Sequence, residues 1–94
     1  MITLRIEHAV PNFAGWKKVF DSDPAHRRES GVRSYRVLRP VDDPNLAIVD
    51  LEFDDPAKAQ VFLENMKGLW RQVEGTVIHT PRAYLCETIE QEQL

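Results

Sequence analysis

Apolar and polar residues alternate over the first ten positions of the chain. Apolar residues occupy four of the five even positions, and the polar or charged residues Thr3, Arg5 and Glu7 occupy odd ones. The apolar set is Ile2, Leu4, Ile6 and Val10. A period of two predicts a β-strand with one apolar and one polar face. Pro11 is expected to end this strand, and Asn12 is placed to cap a following helix.

The next apolar residues recur at helical spacing. They are Phe13, Trp16, Val19 and Phe20, which predicts an amphipathic helix whose stripe packs in the core. Pro24 is favourable as the first residue of a helix, so a second, short helix is expected from there to about Arg28. Ser22 or Asp23 would cap that helix, and Gly31 would close it in the left-handed conformation.

Residues 32–54 contain two apolar-rich runs around a turn that is rich in Pro, Asp and Asn. This pattern predicts a β-hairpin with a loop of about five or six residues. In the second run, Asp50 and Glu52 lie opposite the apolar parity. That parity consists of Ala47, Val49, Leu51 and Phe53. The first run has a weaker apolar pattern, which is typical of an edge strand.

A second helix is predicted to begin at Pro56, directly after two aspartates. Its apolar side comprises Ala59, Phe62, Leu63 and Met66. Gly68 is expected to interrupt the helix. A last strand is predicted from about Thr76 to Ile89, and Pro81 within it indicates an edge position or a bulge.

The predicted order of elements is β-α-β-β-α-β within one domain that spans residues 1–94. Right-handed crossovers then give an α+β, ferredoxin-like arrangement with the first and third strands in the centre of the sheet. Both helices would cover one sheet face and leave the other uncovered. The uncovered face would carry Thr3, Arg5, Glu7, Leu46, Ile48, Asp50 and Glu52.

Composition excludes several functional classes. The chain is 43% hydrophobic and 29% charged, with a net charge of −3, so it lacks the positive field typical of nucleic-acid or anionic-membrane binding. Cys86 is the one cysteine. It cannot form an internal disulfide, which fits a cytoplasmic location. The N-terminus has no long uncharged segment, so we expect neither a signal peptide nor a membrane span.

Four groups of residues carry a resemblance to a known superfamily. They are residues 16–21 (WKKVFD), Gly31 with Arg36, residues 42–45 (DDPN), and residues 52–55 (EFDD) followed by Ala57, Ala59 and Phe62. Over nearly its whole length the chain resembles the dimeric α/β-barrel superfamily, in particular its uncharacterised cyclase-like and antibiotic-biosynthesis-monooxygenase-like proteins. The resemblance implies a homodimer formed through the open sheet faces, and a cavity between the helices and the sheet or inside the barrel.

The resemblance also implies an activity. It suggests a cofactor-independent enzyme, monooxygenase-like or cyclase-like, that acts on a small aromatic or polyketide-type molecule. The alternative is a non-catalytic dimerisation or ligand-binding module. Similar quinone-forming monooxygenases use an Asn and a Trp, and haem-degrading relatives add a His. Trp70 and His79 are the residues offered for these roles. The asparagines match no strand position, because Asn12, Asn45 and Asn65 fall at a cap, a turn and a helix end.

The charged residues of the uncovered face form a second candidate group. Pairing the strands by their apolar parities places Arg36 beside Asp50 and Glu52, with Arg5 on the other side. Buried charges need partners, so this set is either a structural ion network or a site where a carboxylate with a raised pKa moves a proton. In this group Asp50 and Glu52 are candidate catalytic residues, and Arg5 and Arg36 are candidate ligand-binding residues. The resemblance adds His79 to the catalytic set and Trp70 to the ligand-binding set, and Tyr84 joins the latter because its hydroxyl could bond a phenolic or carbonyl ligand.

The remaining histidines have less specific interpretations. His8 is expected to be a strand-end histidine with its hydrogen bonds satisfied, and His26 is expected to lie on the surface. No histidine has the spacing of a metal site, so no metal is predicted.

Overall fold

A computed structural model describes residues 1–73 and 79–94 and confirms the predicted order of six elements. The strands and helices are β1 (Ile2–Ala9), α1 (Phe13–Asp21), β2 (Val32–Leu38), β3 (Leu46–Phe53), α2 (Pro56–Val73) and β4 (His79–Glu87). The architecture is the predicted α+β, ferredoxin-like one. Among the described helices, none is long and apolar enough to cross a membrane.

The four strands form one antiparallel sheet in the order β2-β3-β1-β4. The first and third strands are central, as predicted, and Pro81 lies in the edge strand β4, where a missing N–H is tolerated. In the central pair Leu4 faces Leu51 and Arg5 faces Asp50. The core residues of the two strands are thus side by side, and Arg5 is beside an opposite charge, whereas Glu7 faces Ile48.

The hydrophobic core lies between the sheet and the two helices. It is formed by the even positions of β1, the odd positions of β3 and the apolar stripes of the helices. Leu4, Phe53 and Phe62 are each at most 2% exposed, and burial of such a side chain contributes about 1.5–3 kcal/mol. Trp16 brings α1 into this core. In the described part of the chain, no element covers the opposite sheet face.

Both helix starts form as predicted. The side chain of Asn12 accepts a hydrogen bond from the backbone N–H of Gly15 at 3.0 Å. Asp55 accepts one from the N–H of Ala57 at 2.8 Å, and α2 begins at Pro56. These side chains satisfy backbone donors that have no partner within the helix.

The predicted short helix after Pro24 is wrong. Residues 22–31 form a series of turns, in which Asp23 and His26 have φ angles of 56° and 50°. Left-handed residues interrupt a right-handed helix, so the segment cannot propagate one. Gly31 does adopt the expected positive φ, at 100°, but it ends a turn before β2.

The predicted interruption of α2 is also wrong. The helix runs without a break through Gly68 to Val73. One glycine costs a helix only about 1 kcal/mol. Leu63 and Trp70, on either side of Gly68, bury their side chains and stabilise the helix against the core. Asn65 therefore lies inside the helix, where the sequence had suggested its end. The hairpin loop covers residues 39–45, slightly more than expected. The strand start expected at Thr76 lies outside the described residues, and the described strand ends at Glu87, short of Ile89.

Candidate functional site

An apolar cavity lies between the sheet and the helices. Its volume is about 220 Å³. The central strands contribute Ile6, Val49 and Leu51 to its lining, and Trp16 and Trp70 extend into it from α1 and α2. An apolar protein cavity of about 150 Å³ holds benzene, so this one has room for an aromatic molecule of one or two rings.

His8 is the polar residue most deeply placed in this cavity. It is 4% exposed, and its ring lies 5.3 Å from that of Trp16 in an edge-to-face arrangement. Neither Nδ1 nor Nε2 has a hydrogen-bond partner among the residues that the structure describes. The expectation of a satisfied strand-end histidine was therefore wrong, because β1 carries His8 on the face that packs against α1.

Burial lowers the pKa of His8 to about 4, because a buried imidazole loses the solvation of its charged form. The ring is consequently neutral at pH 7, with one N–H donor and one acceptor nitrogen. The sequence did contain a signal for this residue. His8 shares the even parity of Ile6 and Val10, and that parity faces the core.

Arg27 lines the cavity near the surface and was not predicted from the sequence. Its guanidinium carbon lies 3.9 Å from the ring centroid of Phe20 and 4.8 Å from that of Tyr35. Its Nη1 donates a hydrogen bond to the backbone carbonyl of Phe20 at 2.8 Å and lies 3.5 Å from Asp23. These contacts hold the guanidinium of Arg27 at the margin of the cavity and use part of its N–H donors.

The other sheet face carries the predicted charged group. Asp50, 3% exposed, accepts hydrogen bonds from Arg5 Nε and Nη2 at 2.8 and 2.9 Å. It also accepts from Arg36 Nε and Nη2 at 3.3 and 3.1 Å. The hydrogen bonds from Arg5 are the main reason that the pKa of Asp50 is lowered, and they prevail over the effect of burial. This direction is opposite to that of a carboxylate poised to carry a proton at neutral pH, and it favours the ion-network alternative.

The remaining predicted residues divide between the two faces. Glu52 accepts a hydrogen bond from Thr3 at 2.8 Å, and Tyr84, 47% exposed, pairs with Arg5 from β4. A groove of about 530 Å³ runs along this open face past Glu52 and Asp50. Trp70 lies on the other side of the sheet, in the apolar cavity.

The structure does not describe the side chain of His79, so the prediction of a catalytic role for it lies outside the described part of the chain. His79 is the first residue of β4, and its backbone pairs with that of Ala9. Within the described ranges, no three side chains of His, Cys, Asp or Glu come close enough together to hold a metal ion.

Comparison with protein-family models and with curated proteins gives no match. Solved structures do match. A variant of SnoaB, a cofactor-independent oxygenase from Streptomyces nogalater, superposes with a TM-score of 0.76 at 17% identity, over 96% of this chain and 94% of that one. A variant of MhuD with two manganese protoporphyrin IX molecules bound per active site gives 0.71 at 17% identity, over 99% of each chain. An antibiotic biosynthesis monooxygenase gives 0.60 at 14% identity, over 96% and 100%.

The chain has the ferredoxin-like fold of these proteins. The resemblance to antibiotic-biosynthesis-monooxygenase-like proteins is thus confirmed at the level of the fold. A fold shared at such low identity does not specify a reaction. The activity must therefore be argued from the cavity and from the charged sheet face.

Proposed function

We propose that the protein is a cofactor-independent, monooxygenase-like or cyclase-like enzyme that acts on a small aromatic or polyketide-type molecule. The observation that carries the proposal is the cavity of about 220 Å³, in which a buried imidazole and two indole rings surround a mostly apolar space. The likeness to a cofactor-independent oxygenase supports the type of activity, and the likeness to a protein with manganese protoporphyrin IX bound in its active site supports a ligand with fused or conjugated rings.

The chemistry suits such a cavity. An electron-rich phenol can itself reduce dioxygen: the CH₂ group of its keto tautomer becomes C=O with one oxygen atom, and the second oxygen atom leaves as water with the two hydrogens. The protein then has to bind the substrate, orient it and exclude bulk water. Trp70 and Trp16 offer flat apolar surfaces that would hold an aromatic ring.

We further propose that two copies of the chain pair through their open sheet faces. Leu46 and Ile48 are half-buried on a face that no described element covers, and the ion pairs of Asp50 lie on the same face. A second copy would shield these residues from water. In such a dimer Arg36 and Tyr84 would line the barrel interior and could contact a ligand there. A cytoplasmic location is part of the proposal, supported by the free, exposed Cys86.

Ligand binding can be tested without labelling the protein. The chain has two tryptophans, and both line the cavity. Phenols, hydroxylated naphthalenes and aromatic polyketides that bind there should quench the intrinsic fluorescence in a saturable way. Oxygen consumption with the same compounds measures turnover. If none of these compounds changes the fluorescence or the melting temperature, the proposal is refuted.

The alternative function is a non-catalytic dimerisation or ligand-binding module. The lowered pKa of Asp50, caused mainly by its hydrogen bonds to Arg5, favours a structural role for the charged group. The discriminating experiment is the double variant Asp50→Asn with Glu52→Gln. Lost stability without any effect on ligands supports the module, whereas lost turnover with intact stability supports catalysis by these carboxylates.

The dimer has its own test. Gel filtration or native mass spectrometry should give twice the chain mass of 10.9 kDa. A monomer at micromolar concentration would contradict the pairing of the open faces, and the ligand cavity within each chain would be unaffected by that result.

A further inference from the structure

We infer that His8 is the hydrogen-bonding residue of the apolar cavity and that it selects uncharged one- or two-ring aromatic ligands that carry a hydroxyl group. The inference deepens the proposed function and rests on it, because it assumes that the cavity binds a ligand. It adds the class of ligand and the residue that recognises it.

The first support is the position of the ring. His8 projects from the central strand β1 into the cavity, 5.3 Å from Trp16, with 4% of its surface exposed. Both ring nitrogens are without partners among the described residues. Burial of an unpaired polar group costs free energy that an apolar side chain of similar size would avoid. A ligand hydroxyl placed beside the ring would supply the missing hydrogen bond.

The second support is the composition of the cavity lining. Among the described residues, the other polar side chains of the lining are Arg27 and Gln72, together with the indoles of Trp16 and Trp70. Arg27 already bonds the carbonyl of Phe20 and pairs with Asp23. The other lining residues are hydrophobic. A neutral ring with a single hydroxyl therefore matches this lining. A carboxylated or phosphorylated compound would place its charge among hydrophobic side chains wherever it does not reach Arg27 at the margin.

The third support concerns charge. Trp16 of α1 and Trp70 of α2 face the cavity without a charge, Gln72 is neutral, and Arg27 is the charged residue of the described lining. None of these groups is an acid that would favour a proton on His8. The imidazole thus stays neutral and can accept a hydrogen bond from a ligand hydroxyl.

The experiment compares two ligands of similar shape by isothermal titration calorimetry at pH 7. 2-Naphthol carries a hydroxyl where 2-methylnaphthalene carries a methyl group. A purely apolar cavity would prefer 2-methylnaphthalene, because this compound has no hydroxyl group whose hydration is lost on binding. With His8 as the partner, we expect wild-type protein to bind 2-naphthol about 10-fold more tightly, the factor that corresponds to about 1.4 kcal/mol.

Variants assign the preference to the residue. His8→Phe keeps an aromatic ring of similar size, and it should abolish the preference or reverse it. His8→Gln keeps a donor and an acceptor, and it should retain part of the preference. His26→Phe is the matched control, because His26 is exposed and lies outside the cavity lining. It should leave the ratio of affinities unchanged.

Each outcome of these experiments either supports the inference or overturns it. The inference is overturned if the wild type binds both ligands equally, or if folded His8→Phe keeps the 10-fold preference. If neither ligand binds, the inference fails, and the proposed function fails with it only if the phenols and aromatic polyketides also leave the fluorescence and the melting temperature unchanged. Should His8→Phe not fold, ¹⁵N chemical shifts of the His8 ring in the wild type provide the readout. They should move on addition of 2-naphthol but much less with 2-methylnaphthalene, and equal movement would overturn the inference.

Discussion

Burial of His8 makes the stability of the protein depend on pH between about 4 and 6.5. The pKa of the ring is about 4 in the folded protein and close to its ordinary value of 6.5 in the unfolded chain. Above pH 6.5 the ring is neutral in both states and does not change the balance. As the pH falls below 6.5, the unfolded chain takes up a proton that the folded protein does not, so folding becomes less favourable.

The size of the effect follows from the two pKa values. A difference of one pKa unit corresponds to about 1.4 kcal/mol, so lowering the pH from 7 to 4 should reduce the free energy of unfolding by about 3 kcal/mol through His8. Since a small domain has a total stability of about 5–15 kcal/mol, this is a large fraction. Below pH 4 the contribution levels off, and protonation of Asp50, whose folded pKa is lowered, begins to cost stability as well.

Urea denaturation at several pH values, for wild type and His8→Phe, measures this contribution. The difference between the two free energies of unfolding should change by about 3 kcal/mol in favour of the variant from pH 7 to pH 4. Other titrating groups affect both proteins and cancel in that difference. A difference that stays constant over this range would show that His8 is solvated or paired in the folded protein, and would refute the reasoning.

Three substitutions test the backbone, each by the free energy of unfolding in urea. Gly31→Ala should destabilise by about 1–2 kcal/mol, because φ is +100° and an added Cβ would lie 3.0 Å from Cδ of Lys58; an unchanged stability would contradict that backbone conformation. Gly68→Ala should stabilise by about 0.5–1 kcal/mol, because an added Cβ meets no atom within 4 Å in the middle of α2; destabilisation would indicate a helix broken there. Asn12→Ala should cost about 1 kcal/mol through loss of the helix cap, whereas Asn12→Asp, which keeps an acceptor oxygen, should cost less.

Much of the fold could be predicted because it depends on local patterns. The period of two in β1 and β3 determines which residues face the helices, and the turn and cap residues locate the ends of most elements. The charged group was predictable for the same reason. Once the order of strands was inferred from the crossovers, parity alone placed Arg5 and Arg36 on either side of Asp50, and the structure joins all three by hydrogen bonds.

The features that could not be predicted depend on packing between distant segments. The left-handed residues Asp23 and His26 shape a turn that brings Arg27 over the ring of Tyr35 on β2, and no local pattern encodes that contact. Similarly, the cavity exists because the helix side chains do not fill the space above the sheet. His8 has no hydrogen-bond partner among the described residues because it faces that unfilled space, and residue types alone do not specify where such a space lies.

We expect the two faces of the sheet to be coupled through the strands that they share. Asp50 on β3 bonds Arg36 on β2 and Arg5 on β1, so one carboxylate joins three adjacent strands on the open face. The neighbouring residues of the same strands, Ile6 and Val49, line the apolar cavity on the other face. Loss of the ion pairs would therefore loosen the strands that support the ligand site. A variant at Asp50 that weakens ligand binding would act through strand spacing, and it should weaken the binding of 2-naphthol and 2-methylnaphthalene by the same factor, whereas a change at His8 alters their ratio.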